Sequence, residues 1–395
     1  SALARPAPGR AAHDESSVIR AVTQGITAGG RALDAAMPRY ALTLEDGAAL
    51  LAFLRGLDAA QAAGLGADTV RIGLVLPPGA GGEAFAASLA AAIAGAAPEG
   101  VHRRRILLDH ATAAGPGDAA RAAAELLARP VFAIVSALPA EAGGRAVEAA
   151  ARTARAPLLA TRAASAEAGP MAFALLPGTV QEGLALLGLG HDPARILLLA
   201  PGAGAEGAAQ AIAARSIEAE PRIVAPAGLA AALPGASAVL LPDGAAGLDA
   251  DAVARLRLSG LPVLLPGPSG ALAAPVLAAA LGRPVTVAIG IPPAVMAGGG
   301  APAARFRAGP GAAAGLPGRL GHASGEVLVE ALRRAGRGLT RERLADALAA
   351  EPAFETGSLP SLALTGGARA APGRVWVLRI DGAGRIHAAA GEAGP

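Results

Sequence analysis

The chain has 395 residues, 53% of them hydrophobic, which is ample length for two domains with cores of their own. Its 34 basic residues are all arginine and stand against 31 acidic ones, so the net charge is only +3; with aromatics at 2%, neither a strong positive field nor a stacking platform for nucleic acid is present. The absence of cysteine excludes disulfides, thiolate nucleophiles and cysteine-ligated metals together.

The segment before Thr69 differs in character from the rest. It holds Met37-Pro38, Tyr40, Leu44-Glu45-Asp46 and a helix expected over Ala48 to Leu57. From Thr69 onward, strand and helix signals alternate. Thr69 to Leu76 reads as a buried strand, and Pro77-Pro78-Gly79-Ala80-Gly81-Gly82 leads into a helix from Glu83 to Ala94. Glycines at such a turn, here Gly81 and Gly82, let a ligand approach the backbone and leave N–H groups that suit an anion. His102-Arg103-Arg104-Arg105 is a basic run of the kind that forms a solvated face. A short strand at Ile106 to Leu108 and a helix from Asp118 to Arg129 follow.

Val131 to Val135, Ala146 to Arg155 and Pro157 to Ala160 read as strand, helix and strand. Parallel strands joined in this way bring their carboxyl ends to one sheet edge, where open α/β sheets bind ligands. The loops Ser136 to Pro139 and Thr161 to Ser165 therefore lie side by side. Arg162 is the most informative residue there: its guanidinium offers a forked donor to a carboxylate or phosphate, unless it pairs with Glu167 or turns to water. Ser136, Ala137, Thr161, Ala163 and Ser165 complete this part of the candidate ligand site.

The second half repeats the rhythm. Met171 to Pro177 is apolar, and a helix from Val180 to Leu189 precedes strands at Ile196 to Ala200, Arg222 to Val224, Ala238 to Leu241, Val263 to Leu265 and Val285 to Ile289. Pro292 to Leu316 reads as irregular, and a helix spans Gly321 to Gly336. A last strand runs from Arg374 to Ile380 and carries Trp376, the sole tryptophan, which could stack on a flat ligand at the cleft. Gly202-x-Gly204-x-x-Gly207 follows a strand and opens a helix, the context of a dinucleotide fingerprint, with Glu218 and Glu220 as candidate ribose acids. Gly204 also enters the candidate ligand site. The six histidines show no metal-binding spacing and no G-x-S-x-G elbow occurs, so no metal, cofactor or catalytic residue is expected.

The order of elements resembles type I periplasmic binding proteins of the branched-chain amino acid receptor group, substrate-binding proteins of ABC transporters. Arg71-Ile72-Gly73-Leu74-Val75-Leu76-Pro77 is similar to that family's opening strand, and Ser136-Ala137 with Pro157 through Ser165 to its ligand turn. Gly321 to Gly336 is similar to its late helix, and Phe354-Glu355-Thr356-Gly357 with the strand after Arg374 to its ending. The resemblance implies an α/β fold of two Rossmann-like lobes with a ligand cleft and a hinge. Lobe one would be 69–176 plus 300–352, and lobe two 177–299 plus 353–395. It further implies a monomer that is not an enzyme, captures a small ligand in the periplasm, and serves the membrane subunits of an ABC transporter, its signal peptide being absent from this sequence. Residues 1–68 resemble the C-terminal half of a c-type cytochrome, in which a Met before Pro ligates haem; without C-x-x-C-H, Met37 is not expected to do so. Arg162, the small residues of the second-lobe loops and this flank together suggest an anionic ligand, a carboxylate such as pyrroloquinoline quinone. The alternatives are an NAD-dependent or redox enzyme using Gly202, Gly204 and Gly207, and a sensing or interaction module of the same fold.

Overall fold

The computed structural model describes residues 11, 13–139, 143–163, 169–216, 221–245, 247–291, 304–310, 312–350, 353–359, 362, 364–366 and 375–388. The chain divides between Ala63 and Gly64 into two compact units, slightly ahead of the boundary expected at residue 68. In the first unit, the Asp14 carboxylate accepts from the Ser17 N–H at 2.7 Å and the Ser17 hydroxyl accepts from the Asp14 N–H at 2.9 Å, a capping box that starts α1 (Glu15–Gln24). Gly25 ends this helix with φ 70°, the left-handed conformation that glycine adopts without strain. The second helix, α2 (Leu44–Ala62), extends beyond the expected span at both ends. Met37 lies half-exposed between the two.

The second unit is built on two sheets. Its first half runs β1 (Thr69–Leu76), α3 (Ala80–Ala96), β2 (Arg105–Thr112), α4 (Pro116–Ala128), β3 (Ala133–Ser136), α5 (Arg145–Thr153), β4 (Leu158–Arg162) and β5 (Ala172–Leu176). After α6 (Thr179–Leu187) come β6 (Ile196–Leu199), α7 (Ala203–Ala213), β7 (Arg222–Val224), α8 (Leu229–Ala232), β8 (Ala238–Leu240), α9 (Ala250–Ser259), β9 (Val263–Pro266), α10 (Gly267–Leu281) and β10 (Val285–Ile289). The chain continues through α11 (Ala304–Arg307), α12 (Gly315–Ala335), α13 (Arg341–Ala350), β11 (Thr365–Gly366), β12 (Trp376–Ile380) and β13 (Ile386–Ala388).

One sheet has the order β11-β5-β4-β3-β1-β2 and the other β13-β12-β10-β9-β8-β6-β7. All pairings are parallel except those made by β11, β12 and β13. The central strands are apolar on both faces because helices cover both sides, which is why they read as unbroken hydrophobic runs. The expected α/β, two-lobed fold is the fold observed.

Three details differ from expectation. The strand expected at Ile106 to Leu108 runs on to Thr112, because its edge position lets polar residues alternate with apolar ones. Helix α12 begins at Gly315, inside the stretch read as irregular. β11 pairs with β5 in the first sheet, so the chain enters the second sheet between Gly366 and Trp376, not at residue 353. Among the described strands, the chain therefore changes sheet three times: after β5, after β10 and after β11.

Helix α12 lies against α3 at a distance that only glycine permits. A Cβ on Gly321 would strike the carbonyl of Phe85, and one on Gly325 would come within 2.8 Å of the Leu89 carbonyl and the Ala92 Cβ. At the base of the first sheet, buried Arg341 donates to the carbonyls of Val131 at 2.6 Å, Phe132 at 3.0 Å and Ala154 at 2.9 Å, tying α13 to the strands. Replacing Gly321 with Ala is expected to destabilise by about 1–3 kcal/mol through overpacking. Gly95→Ala, on the open face of α3 with nothing within 4 Å, should instead stabilise by about 0.5–1 kcal/mol. Urea unfolding of the two variants checks the contrast.

The return path is fastened by a partly buried polar cluster around α12. Arg305 pairs with Glu326, whose other oxygen accepts from the Gly357 N–H at 2.6 Å. Arg319 donates to the Ser358 carbonyl at 3.2 Å and its own carbonyl accepts from the Ser358 hydroxyl at 2.7 Å. His322 stacks edge-on against Phe306, its side chain 5% exposed; its Nδ1 lies 3.5 Å from Glu326 Oε2, at an angle that makes no hydrogen bond. Burial pushes the His322 pKa below its ordinary value; Glu326 opposes the shift and Arg305 adds to it. The folded chain thus keeps His322 neutral where the unfolded chain takes up a proton. Its contribution to stability is complete above about pH 6.5 and is lost as the pH falls below that. His322→Leu should flatten the decline in melting temperature between pH 7.5 and 5.5, and an unchanged decline would contradict this assignment.

Candidate ligand-binding cleft

Because neighbouring strands are parallel, their carboxyl ends gather on one edge of each sheet, and the turns that follow them form the facing walls of a cleft. The first sheet contributes Pro77 to Gly82 after β1, Ser136 to Pro139 after β3 and Thr161 to Ala163 at the end of β4. The second contributes the starts of α7 and α10 and the turn Pro242 to Gly244 after β8. The walls approach closely: a Cβ on Gly207 of α7 would lie 3.7 Å from the Arg145 guanidinium at the start of α5.

At the base of the cleft, Arg162 and Glu182 form an ion pair between the lobes, with their side chains 11% and 1% exposed. The Arg162 Nε also donates to the Pro177 carbonyl at 3.3 Å, on the first crossing. The second oxygen of Glu182 accepts from the Gly290 N–H at 2.8 Å, on the second crossing. The turn from β9 to α10 closes over this pair. Gly267 has φ 82°, a conformation that favours glycine, and a Cβ there would press on the Arg162 and Glu182 head groups at 3.3 Å. A Cβ on Gly290 would strike Pro177, and one on Gly178 would strike the Ala163 carbonyl, which shows how tightly the crossings pack.

This geometry revises the reading of Arg162. Its guanidinium is engaged by Glu182 and Pro177, and Glu167, the partner weighed from sequence, lies outside the described residues, as do Ser165, Glu218 and Glu220. Ser136 is 1% exposed at the end of β3, where its hydroxyl accepts from the Leu138 N–H at 3.3 Å. Ala137 donates to the Val75 carbonyl at 2.9 Å, and Ala163 to the Leu176 carbonyl at 3.0 Å, so both backbone N–H groups are used inside the sheet. Thr161 is buried at the end of β4, beside this group.

Gly81 is exposed in the first turn of α3, which starts at Ala80. Gly82 is demanded by the fold, since a Cβ there would strike the Pro77 carbonyl. Gly204 is exposed on α7, and a Cβ on it would lie 3.7 Å from Asp243 Oδ2. None of Gly202, Gly204 and Gly207 has a positive φ or a close backbone neighbour, so the roles that glycines play in a dinucleotide fingerprint are unused here. Trp376 is half-buried at the start of β12, paired with Ile289 at the carboxyl end of β10, and so stands at the cleft edge of the second sheet.

Sequence reasoning did not single out Glu182, Gly267 or Gly290. A lone carboxylate in the first turn of the apolar helix TVQEGLALL, and a glycine between Pro266 and Pro268, were the available signals.

No family model matches the sequence, and neither does any curated protein. Solved structures do resemble it. A fatty acid ABC transporter substrate-binding protein from Thermomonospora curvata is 15% identical, with a TM-score of 0.59 over 84% of this chain and 94% of that one. A leucine-binding protein from Thermotoga maritima is 18% identical, with a TM-score of 0.57 over 82% and 98%. A solute-binding protein of an ABC transporter from R. palustris, solved with benzoate, is 17% identical, with a TM-score of 0.54 over 81% and 95%. The chain thus has the fold of ABC transporter substrate-binding proteins of the leucine/isoleucine/valine-binding type.

Glu182→Ala is expected to destabilise the protein by about 3–5 kcal/mol, because it leaves a buried guanidinium without its counter-charge. The paired replacement Arg162→Met with Glu182→Leu should recover most of that loss. Chemical denaturation of the single and double variants tests it; a double variant as unstable as Glu182→Ala would contradict the ion-pair reading.

Proposed function

We propose that this chain is a periplasmic solute-binding protein that captures a small carboxylate between its lobes and delivers it to the membrane subunits of an ABC transporter. The observation that carries this reading is the pair of parallel sheets whose carboxyl edges face each other across three crossings. Such a hinge lets two preformed half-sites close on a ligand, exclude water and strengthen charge-assisted hydrogen bonds. The three similar structures are described as binding a fatty acid, leucine and benzoate, which all carry one carboxylate. No bond is made or broken in this reading.

The residues proposed to meet the ligand are Ser136 and Thr161 at the ends of β3 and β4, Gly81 at the start of α3, Gly204 at the start of α7, and Trp376 at the facing edge. Arg162 acts through Glu182 as the seat of the hinge instead of as the anion's own donor. The case for a polycarboxylate such as pyrroloquinoline quinone drew on a free Arg162 together with the small residues of the second-lobe loops, Trp376 and the cytochrome-like flank; with the Arg162 guanidinium engaged, a monocarboxylate, which needs fewer donors, is the ligand class we favour.

Because Trp376 is the sole tryptophan, its emission reports on closure without labelling. Titration with benzoate, octanoate, leucine and pyrroloquinoline quinone should give a saturable change with one carboxylate. The same ligand at a hundred times its Kd should add about 2.7 kcal/mol of stability. If none of the four alters emission or melting temperature, the carboxylate-receptor reading fails.

A further inference from the structure

The end of the first lobe opposite the cleft carries a charge distribution that solute binding does not use. The amino ends of β4, β3, β1 and β2 form this edge, about 15 Å across from the spacing of neighbouring strands. Arg103, Arg104 and Arg105 enter β2 here, and Arg155 precedes β4. The ends of α3 and α12 meet at the same place: the His102 Nε2 donates to the Arg333 carbonyl at 3.0 Å, and the Arg333 guanidinium donates to the carbonyl of Ala96.

Part of this arginine content is structural. Arg104 donates to the Gly66 carbonyl at 3.1 Å, Arg334 pairs with Glu330 at 2.7 Å, and Arg333 satisfies a helix carboxyl end. Arg103, Arg105, Arg155 and Arg337 are different, being exposed and without a side-chain partner among the described residues. The nearby acids Asp68 and Glu99 do not pair with them.

A second observation points the same way. Among the described residues, three non-glycine residues have positive φ, namely His102 at 51°, Arg103 at 65° and Arg155 at 47°, and all are basic side chains on this edge. His102 and Arg103 occupy a two-residue turn closed by the Val101 to Arg104 bridge, where glycine or asparagine would remove the strain. Strained backbone at non-glycine residues clusters where function holds it.

We infer that this edge is an interaction surface for the headgroups of an anionic phospholipid membrane. Guanidinium forks match phosphate oxygens. Among the described residues of this unit, the large hydrophobic side chains that stand more than three-quarters exposed, Leu258, Leu272 and Val276, belong to α9 and α10 and not to this edge, so the surface offers charge without an anchor to bury in a protein partner's pocket. A broad, repeating anionic surface needs no shape match, whereas an acidic protein does.

The test is co-sedimentation of the full chain with phosphatidylcholine vesicles, with and without 30% phosphatidylglycerol. Binding should require phosphatidylglycerol and disappear in 0.5 M salt. The variant Arg103→Gln/Arg155→Gln/Arg337→Gln should bind at least about tenfold more weakly, as expected for three basic residues near an anionic bilayer. A control, Arg121→Gln/Arg255→Gln/Arg385→Gln, removes exposed arginines elsewhere and should bind as the parent does. Equal binding to both vesicle types, or equal loss in test and control variants, overturns the inference. Retention on immobilised polyglutamate without vesicle binding also overturns it, in favour of an acidic protein.

Discussion

The hinge of the second unit rests on the ion pair between Arg162 and Glu182. Removing two charges from water is costly, and their attraction offsets that cost only when the remaining hydrogen-bonding capacity is also met. Here the Pro177 carbonyl takes one donor of the arginine and the Gly290 N–H takes the free oxygen of the glutamate. Satisfying these charges therefore draws β4 of one sheet, the first crossing and the second crossing to one point. Gly267, held at φ 82°, covers the pair with backbone, and a Cβ there would press on both head groups.

The cleft and the hinge thus divide the polar residues between them. Charged groups at the base hold the lobes together, while the walls carry hydroxyls, glycines and one tryptophan, with Arg145 and Asp243 beside α7. This division is the basis for proposing a small solute with a single charged group. It also separates the two ends of the first lobe: carboxyl strand ends serve the cleft, and amino strand ends carry exposed arginine.

Much of the fold was legible because parallel strands covered by helices on both faces leave a simple trace, short apolar runs such as Ile196–Leu199 and Val263–Pro266 separated by helical stretches. The adjacency of Ser136 and Thr161 also followed from the strand–helix–strand unit, since chain direction alone decides which loops meet. What could not be read was long-range pairing. Nothing local to Arg162 announces a partner twenty residues later across a crossing. Nothing local to Thr365–Gly366 distinguishes an edge strand of the first sheet from the start of the second, because two residues carry no periodicity. The abundance of glycine worked against the reader as well. Gly82 is required by a close backbone contact and Gly267 by its positive φ, while Gly202 and Gly204 stand in open or ordinary space, and composition alone cannot tell them apart.

Closure of two lobes on a ligand is the central claim, and a distance across the cleft tests it most directly. The chain has no cysteine, so spin labels can be placed at Glu83→Cys on α3 and Glu206→Cys on α7, both exposed, without other changes. Pulsed dipolar spectroscopy with and without the carboxylate that alters Trp376 emission should show a shorter and narrower distance distribution when ligand is bound. Identical distributions in both states would contradict a receptor that works by closing.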